Sequence, residues 1–588
     1  RMRRRLPLFT LVAVFLPLCS SHVSLSFPAA RYPPLDFLDT FRTISPCGVP
    51  PPIHHSSTTL VVGETYNFTW RMQYPHQGGY RLTLLDSEGR SVDQLAPLNG
   101  AEFAGLMDQT SVSERVKFTQ PCQRCTVLLE RQAAEWGKSY TFHSCADVQI
   151  VDVPSEAPEC TGHGVRRNEL CECDAGYAGD VCQYYAHCQS DADCQNAGKC
   201  LSEENSLVVK SCFCPYGFFG RNCESQFSGE PDECFSHERV NSAAFPDYGL
   251  FNRRCYQSTR LTDQDFIYHR AVKDEVEIIL DFLTTSWVGL GWRPDGLDPS
   301  CRLFPDLEGV RVRRSAADDL SPLYPSEEGI TKRESETLSS GPSSSSLRNP
   351  SSASYPPSRI AQEGPKPVMP KNNGILASTL EAPLHSMDCV DVIVGSVREG
   401  RLRIQDMYSR DRSTPLEDYW YDGMDSLTAA AGIEVDGRTV IMLRRPKQEI
   451  EPTDHPLGGS RQFVIWAKGQ TAPPSESTSS FYRDDFLGYH GGKNRGSLKV
   501  DLASQVAEPK TEIAFGVMNT EQELLPLSAS GQPPVIILAA SSSSSPPSST
   551  SLSPLTDSEH LSISHDMADS SSSFIRLPLP FLLFLLMI

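Results

Sequence analysis

Nineteen cysteines stand in this chain of 588 residues, and their spacing constrains the fold more than any other feature. Cys19 belongs to an N-terminal stretch in which Arg3, Arg4 and Arg5 precede an apolar run, Leu6 to Leu18, and small residues end at Ser21. That is the layout of a secretory signal over residues 1–21. The remaining eighteen are an even number, as expected of a chain exported to an oxidising compartment where disulfides persist. They fall into three groups: Cys47, Cys122, Cys125 and Cys145; ten between Cys160 and Cys223; and Cys234, Cys255, Cys301 and Cys389. Cys122-x-x-Cys125 has no second pair beside it, so bridging is expected there and not zinc or redox chemistry.

A chain of this length exceeds a single core and implies several domains. The formal net charge of -20 argues against a nucleic-acid partner. No Gly-rich phosphate loop, Gly-x-Ser-x-Gly elbow or His-Glu-x-x-His pair suggests a common enzyme class. Short apolar and alternating runs bounded by turn residues read as strands: Thr58–Val62, Tyr80–Leu85, Val276–Phe282, Trp287–Pro294, Val390–Gly395, Arg438–Leu443 and Arg461–Trp466. The fold class is therefore mainly β, with sandwiches on either side of the dense cysteine group.

Within that group, Cys188-x5-Cys194-x5-Cys200-x11-Cys212-x-Cys214-x8-Cys223, with Gly217 and Gly220 before the last cysteine, resembles a complete EGF-like module over 184–225. The resemblance implies the pairs Cys188 with Cys200, Cys194 with Cys212 and Cys214 with Cys223. Spacing alone leaves fifteen pairings open. A shortened relative, Cys160, Cys171, Cys173 and Cys182 with Gly176-Tyr-Ala-Gly179, occupies 156–183. Modules this small lean on their bridges. Gln183-Tyr-Tyr-Ala-His187 lacks the acidic cluster of calcium-binding members, so no calcium is expected.

Cleavage after Ser21 would make His22 the first residue of the mature protein, able to offer a metal both its amine and its ring nitrogen. Nitrogen ligands in a planar set suit Cu(II). Cleavage after Ser26 is the alternative, and it removes His22. The segments His22–Arg31, Tyr74-Pro-His-Gln-Gly-Gly-Tyr80, Pro121–Leu129, Trp136-Gly137 and Thr141–Ile150 resemble copper-dependent lytic polysaccharide monooxygenases and their copper-binding relatives over 22–155. This implies an immunoglobulin-like β-sandwich with copper held by His22 and His76 and with Phe142 beside it; His143 and Asp147 are reserve ligands. By local chemistry alone His76 is a turn residue and Phe142 a core aromatic.

The ordered set Gly289-Leu-Gly-Trp-Arg-Pro294, Asp391-Val-Ile-Val-Gly395, Ile404-Gln-Asp-Met-Tyr408, Thr453-Asp-His-Pro-Leu457 and Val464–Gln470 resembles a DOMON domain over 226–510. Such domains are sandwiches that bind haem b or sugars, and Met387 lies where the haem-binding members place their Met. Its partner is expected to be His455, with His490 also near the domain's end. An insertion over 311–385, rich in Ser and Pro, has the composition of a disordered loop. It opens on Arg311-Val-Arg-Arg314, which resembles a furin-type processing site ending at Arg314. A Cys301 to Cys389 bridge would hold the cleaved halves together.

Residues 511–576 read as a Ser/Pro-rich stalk. The apolar tail 577–588 has twelve residues, whereas a membrane-spanning helix needs about twenty. It resembles a GPI-anchor signal. Asn67-Phe-Thr69 is an N-glycosylation sequon, in keeping with export. Two functions follow. The first is a cell-surface or secreted glycoprotein that binds extracellular ligands, whether glycan, protein, metal or haem, through two sandwiches spaced by EGF-like modules. The alternative is a copper-dependent polysaccharide-cleaving monooxygenase with a DOMON haem as electron donor. Binding stands first, because catalysis needs a flat substrate surface and an electron source in addition to copper ligands.

Overall fold

The structure is a computed structural model that describes residues 22–504 except 52–56, 109, 204, 228–231, 240–242, 308–372 and 471–486. The signal 1–21, Arg314, the stalk 511–576 and the tail 577–588 lie outside the described residues.

The chain is mainly β, as the strand pattern predicts. Residues 22–151 form two facing sheets. One has the order Val23–Phe27, Thr65–Met72, Ser113–Lys117; the other runs Thr58–Val61, Thr141–Val151, Cys122–Gln132, Tyr80–Leu85, Ser91–Ala96. Alternation along Thr141–Val151 places Phe142, Ala146, Val148 and Ile150 in the core between the sheets, with Leu25, Phe68, Trp70 and Leu82 opposite. Bridges Cys47–Cys145 and Cys122–Cys125 lie within this sandwich.

Residues 160–226 are four two-stranded hairpins with little apolar core, stapled by Cys160–Cys171, Cys173–Cys182, Cys188–Cys200, Cys194–Cys212 and Cys214–Cys223. The sulfurs of the last three bridges form the centre of their own module.

The second sandwich packs a five-stranded sheet (Gln257–Arg260, Phe266–Val272, Glu275–Phe282, Arg438–Pro446, Ala429–Val435) on a six-stranded one (Leu416–Glu417, Arg401–Ser409, Val390–Arg398, Val288–Pro294, Gln462–Lys468, Arg495–Val500). Val288, Leu290, Trp292, Ile393 and Val464 fill the space between them. Asp391 also points inward, where Arg445 donates to its two oxygens at 2.9 and 2.8 Å and to Asp454 at 2.6 Å. Such a pair is held by mutual need: removing one partner strands the other charge.

Two expectations are corrected. The disulfide-rich modules do not hold the sandwiches apart. Asp36 of the first sandwich accepts from the backbone N–H and hydroxyl of Thr414 of the second, both at 2.8 Å, and Ser413 Oγ accepts from Phe37 N–H at 3.1 Å. The modules lie against both: Asn205 accepts from Met72 N–H at 3.0 Å, and Cys214 N–H donates to Leu402 O at 2.7 Å. The insertion also ends earlier than residue 385. Buried Asn373 donates to Leu303 O and Pro305 O at 3.0 and 2.6 Å, and a short helix spans Ala377–Glu381. Arg302 binds the carbonyls of Thr379 and Ala382 at 2.8 and 2.9 Å, satisfying acceptors that a helix end leaves open.

Candidate functional site

Successive residues of a strand face opposite sides of its sheet. In the six-stranded sheet this sends Val288, Leu290 and Trp292 into the sandwich and leaves Gly289 and Gly291 on the outer face, with Val392, Val394, Ile465 and Ala467 beside them. That outer face is apolar, yet it is not bare to water. Leu487 and Tyr489 cross it, and His22 and Gln73 of the first sandwich close the other side of a cavity of about 340 Å³.

Met387 and His490 line this cavity together. His490 Nδ1 donates to Gly491 O at 2.8 Å, an assignment that follows from the carbonyl partner and leaves Nε2 with its lone pair. Burial pushes the imidazole down to about 4; the hydrogen bond to Gly491 O opposes this only in part and the charge of Arg495 adds to it, so His490 is neutral at neutral pH. A thioether and a neutral imidazole in one apolar cavity are a donor set that fits haem iron. His455 does not share the cavity. Its Nε2 bonds Cys389 O at 2.8 Å, its N–H donates to Asp391, and its carbonyl accepts from Trp292 Nε1, all toward the sandwich interior. Of the two histidines near the end of this sandwich, His490 and not His455 shares the cavity with Met387.

On the other side of the cavity, His22 is buried, with Nδ1 2.9 Å from Asp36 Oδ1. Burial alone would raise the Asp36 carboxyl; His22, Arg71 and the Thr414 N–H outweigh it and hold the group well below the usual carboxylate range. His76 is fully buried, with Nδ1 on Glu135 and Nε2 without a hydrogen-bond partner. Burial pushes its pKa down, partly offset by Glu135, while Arg131 and His22 lower it further. Its ring lies 5.6 Å from that of Phe142 with 18° between planes. Phe37 links Phe142 to His22, with ring centroids 5.1 Å from the first and 5.2 Å from the second. The reserve ligands are elsewhere: His143 and Asp147 lie on the strand face opposite Phe142, His143 Nε2 meeting Thr43 Oγ1 at 3.0 Å and Asp147 pairing with Arg31 at 2.8 Å. Burial pushes His143 down to about 4. An aromatic file connects the two sides: Tyr74 is 5.7 Å from His76 and 6.0 Å from Tyr489, which packs 4.8 Å from His490.

A second group of ligand-type side chains, Asp406, Asp418 and Asp454, is buried around Arg445 in the second sandwich. Burial pushes Asp406 up to about 6 despite the attraction of Arg445.

Sequence reasoning passed over His385, Arg412 and Arg495, which also line the cavity. The signal that could have found the site is Gly289-x-Gly291 beside Val390–Val394: a strand apolar on both faces, with no amphipathic helix in the sequence to cover the outer one.

No protein-family model matches the chain. A stretch is 35% identical over 99 residues to a cubilin homolog of Caenorhabditis elegans, covering 17% of this chain and 2% of that protein. Another is 39% identical over 98 residues to protein glp-1 of the same organism, covering 14% of this chain and 7% of the relative. The chain thus spans a small fraction of the curated relatives it matches. Together with the disulfide-stapled hairpins, these likenesses fit EGF-like modules in a secreted or cell-surface multidomain protein. Among the described residues, no helix is long and apolar enough to cross a membrane.

Proposed function

We propose that this is a secreted or surface-attached binding protein whose ligand site is the cavity between its two sandwiches, and that the ligand is haem b held by Met387 and His490. The observation that carries this reading is that a thioether and an imidazole whose pKa burial lowers both line the one cavity. The DOMON-like strand motifs that enclose the cavity support it. Haem in such a site supplies one-electron chemistry; the chain's own contribution is to exclude water through Val392, Val394 and Leu487 and to present Nε2 of His490. The tail 577–588 attaches the protein to the membrane through a lipid anchor, and an extracellular protein or glycan is the partner of its outer surfaces.

The test is the full secreted chain expressed with haem supplied. A Soret band and a reduced b-type spectrum are expected, both lost or altered in Met387→Ala and His490→Ala, and retained in His455→Ala. A folded protein with no haem band overturns the reading.

A second reading, copper held by His22 and His76 in an oxidase of polysaccharides, draws on one observation: His76 Nε2 is buried without a hydrogen-bond partner, and its ring connects through Phe142 and Phe37 to that of His22. It requires that the mature chain begin at His22 and that the imidazole exchange Asp36 for the metal. N-terminal sequencing and Cu(II) titration test it. His76→Ala should weaken copper binding at least about tenfold, on the order of 1.4 kcal/mol; a start at Phe27, or unchanged affinity, excludes it.

A further inference from the structure

Two cations line the cavity with no acid paired to them among the described residues. Among the described residues, neither Arg412 nor Arg495 makes an ion pair or a hydrogen bond through its side chain, and both face the cavity beside His385. The acids within electrostatic range of Arg412 are already engaged: Asp388 takes two bonds from Arg302 at 3.0 and 2.6 Å, and Asp39 is paired with Arg42. Burial and the like charge of Arg42 lower the pKa of Arg412, with only partial relief from Asp388 and Asp39. One end of the cavity is therefore strongly positive, while its sheet wall is apolar.

We propose that Arg412 and Arg495 receive carboxylate groups of the ligand, so that the cavity is a site for an apolar acid and not for a neutral sugar. Guanidinium forks match carboxylates in geometry and charge, and a partly buried pair gains more from that match than an exposed one. The inference rests on the reading of the cavity as the ligand site. It does not depend on iron, because an acid can bind the arginines whether or not Met387 and His490 ligate a metal.

The experiment uses the full secreted chain and follows quenching of tryptophan fluorescence, Trp287 and Trp466 being in the cavity wall. The probes are metal-free protoporphyrin IX, its dimethyl ester in the same detergent, and palmitate. The free acid should bind at least about tenfold tighter than the ester, and the double variant Arg412→Gln, Arg495→Gln should lose that advantage while binding the ester as before. Equal affinity for acid and ester, or an unchanged preference in the variant, overturns the inference. Arginine-dependent binding of porphyrin acid without a haem spectrum sustains it and removes the haem reading. So does arginine-dependent binding of palmitate where porphyrins fail. Binding of none of the three overturns both.

Discussion

Replacing Asp36 by Ala tests whether the two sandwiches fold as one body. Asp36 is fully buried and meets four groups: His22 Nδ1 at 2.9 Å, Thr414 N and Oγ1 each at 2.8 Å, and Arg71 at 3.8 Å. Arg71 is itself buried, with one further bond to Pro34 O at 2.9 Å. Removing the carboxylate leaves the Thr414 N–H unpaired, at a cost of about 1–3 kcal/mol. It also leaves Arg71 as a buried charge without its counter-ion, for which about 3–5 kcal/mol is the usual cost. Allowing for relaxation and for water entering through the cavity, we expect a loss of about 4 kcal/mol, equivalent to roughly 5 °C in a unit of some 400 residues. Asp36→Asn, which keeps an acceptor for Thr414 but not the charge, should cost about half as much. The folded pKa of Asp36 lies below its unfolded value, so its contribution is complete above about pH 4 and fades as pH falls below that value. Calorimetry at pH 7 should show one transition in the parent protein and an earlier, broadened or split transition in Asp36→Ala, with the difference shrinking at pH 3. A single transition at the parent temperature would refute the argument that this carboxylate joins the sandwiches.

Asp406 behaves in the opposite sense: burial raises it from 3.8 to about 6, so it favours folding below its unfolded pKa and that advantage is lost as pH rises through about 6. Asp406→Asn should therefore be more favourable to stability at pH 8 than at pH 5, as read from guanidinium midpoints; equal shifts at both pH values would count against a raised pKa. Gly291→Ala would place a Cβ 2.6 Å from Val390 Cγ1 and 2.9 Å from Val392 Cγ2. It should cost about 1–3 kcal/mol by overpacking, checked by thermal unfolding; no measurable loss would mean that this wall yields easily. If residues 577–588 direct a lipid anchor, phosphatidylinositol-specific phospholipase should release the protein from cells, and deleting them should send it to the medium. Retention after both treatments rejects the anchor.

Alternation and apolar runs carried most of the β architecture, because each strand announces itself locally. Val276–Phe282 is read from sequence where the strand Glu275–Phe282 stands, and Trp287–Pro294 where Val288–Pro294 stands. Cysteine spacing also divided the chain along the lines of its bridges, since every bond closes within its own group. The site was less legible. His455 and His490 both sit among turn residues, and nothing local says that one loop folds against the sandwich interior and the other across the outer sheet face. Arg412 and Arg495 are ordinary surface residues by pattern; they become notable only where Asp388 and Asp39 are engaged by other arginines. The helix Ala377–Glu381 adjoins a Ser/Pro-rich stretch and is too short to nucleate alone, so its existence depends on Arg302, which is distant in sequence.

The outer wall of the six-stranded sheet also bears on how a chain like this can be taken apart. Val392, Val394, Ile465 and Ala467 lie beneath Leu487 and Tyr489, and across the cavity from His22 and Gln73 of the other sandwich. A fragment of the second sandwich alone, cut at the domain boundary that the sequence suggests, would keep Leu487 and Tyr489 over that wall but open to water the side of the cavity that His22 and Gln73 close. The parts are recognisable pieces of sequence, yet the cavity is closed only where the two sandwiches are present together.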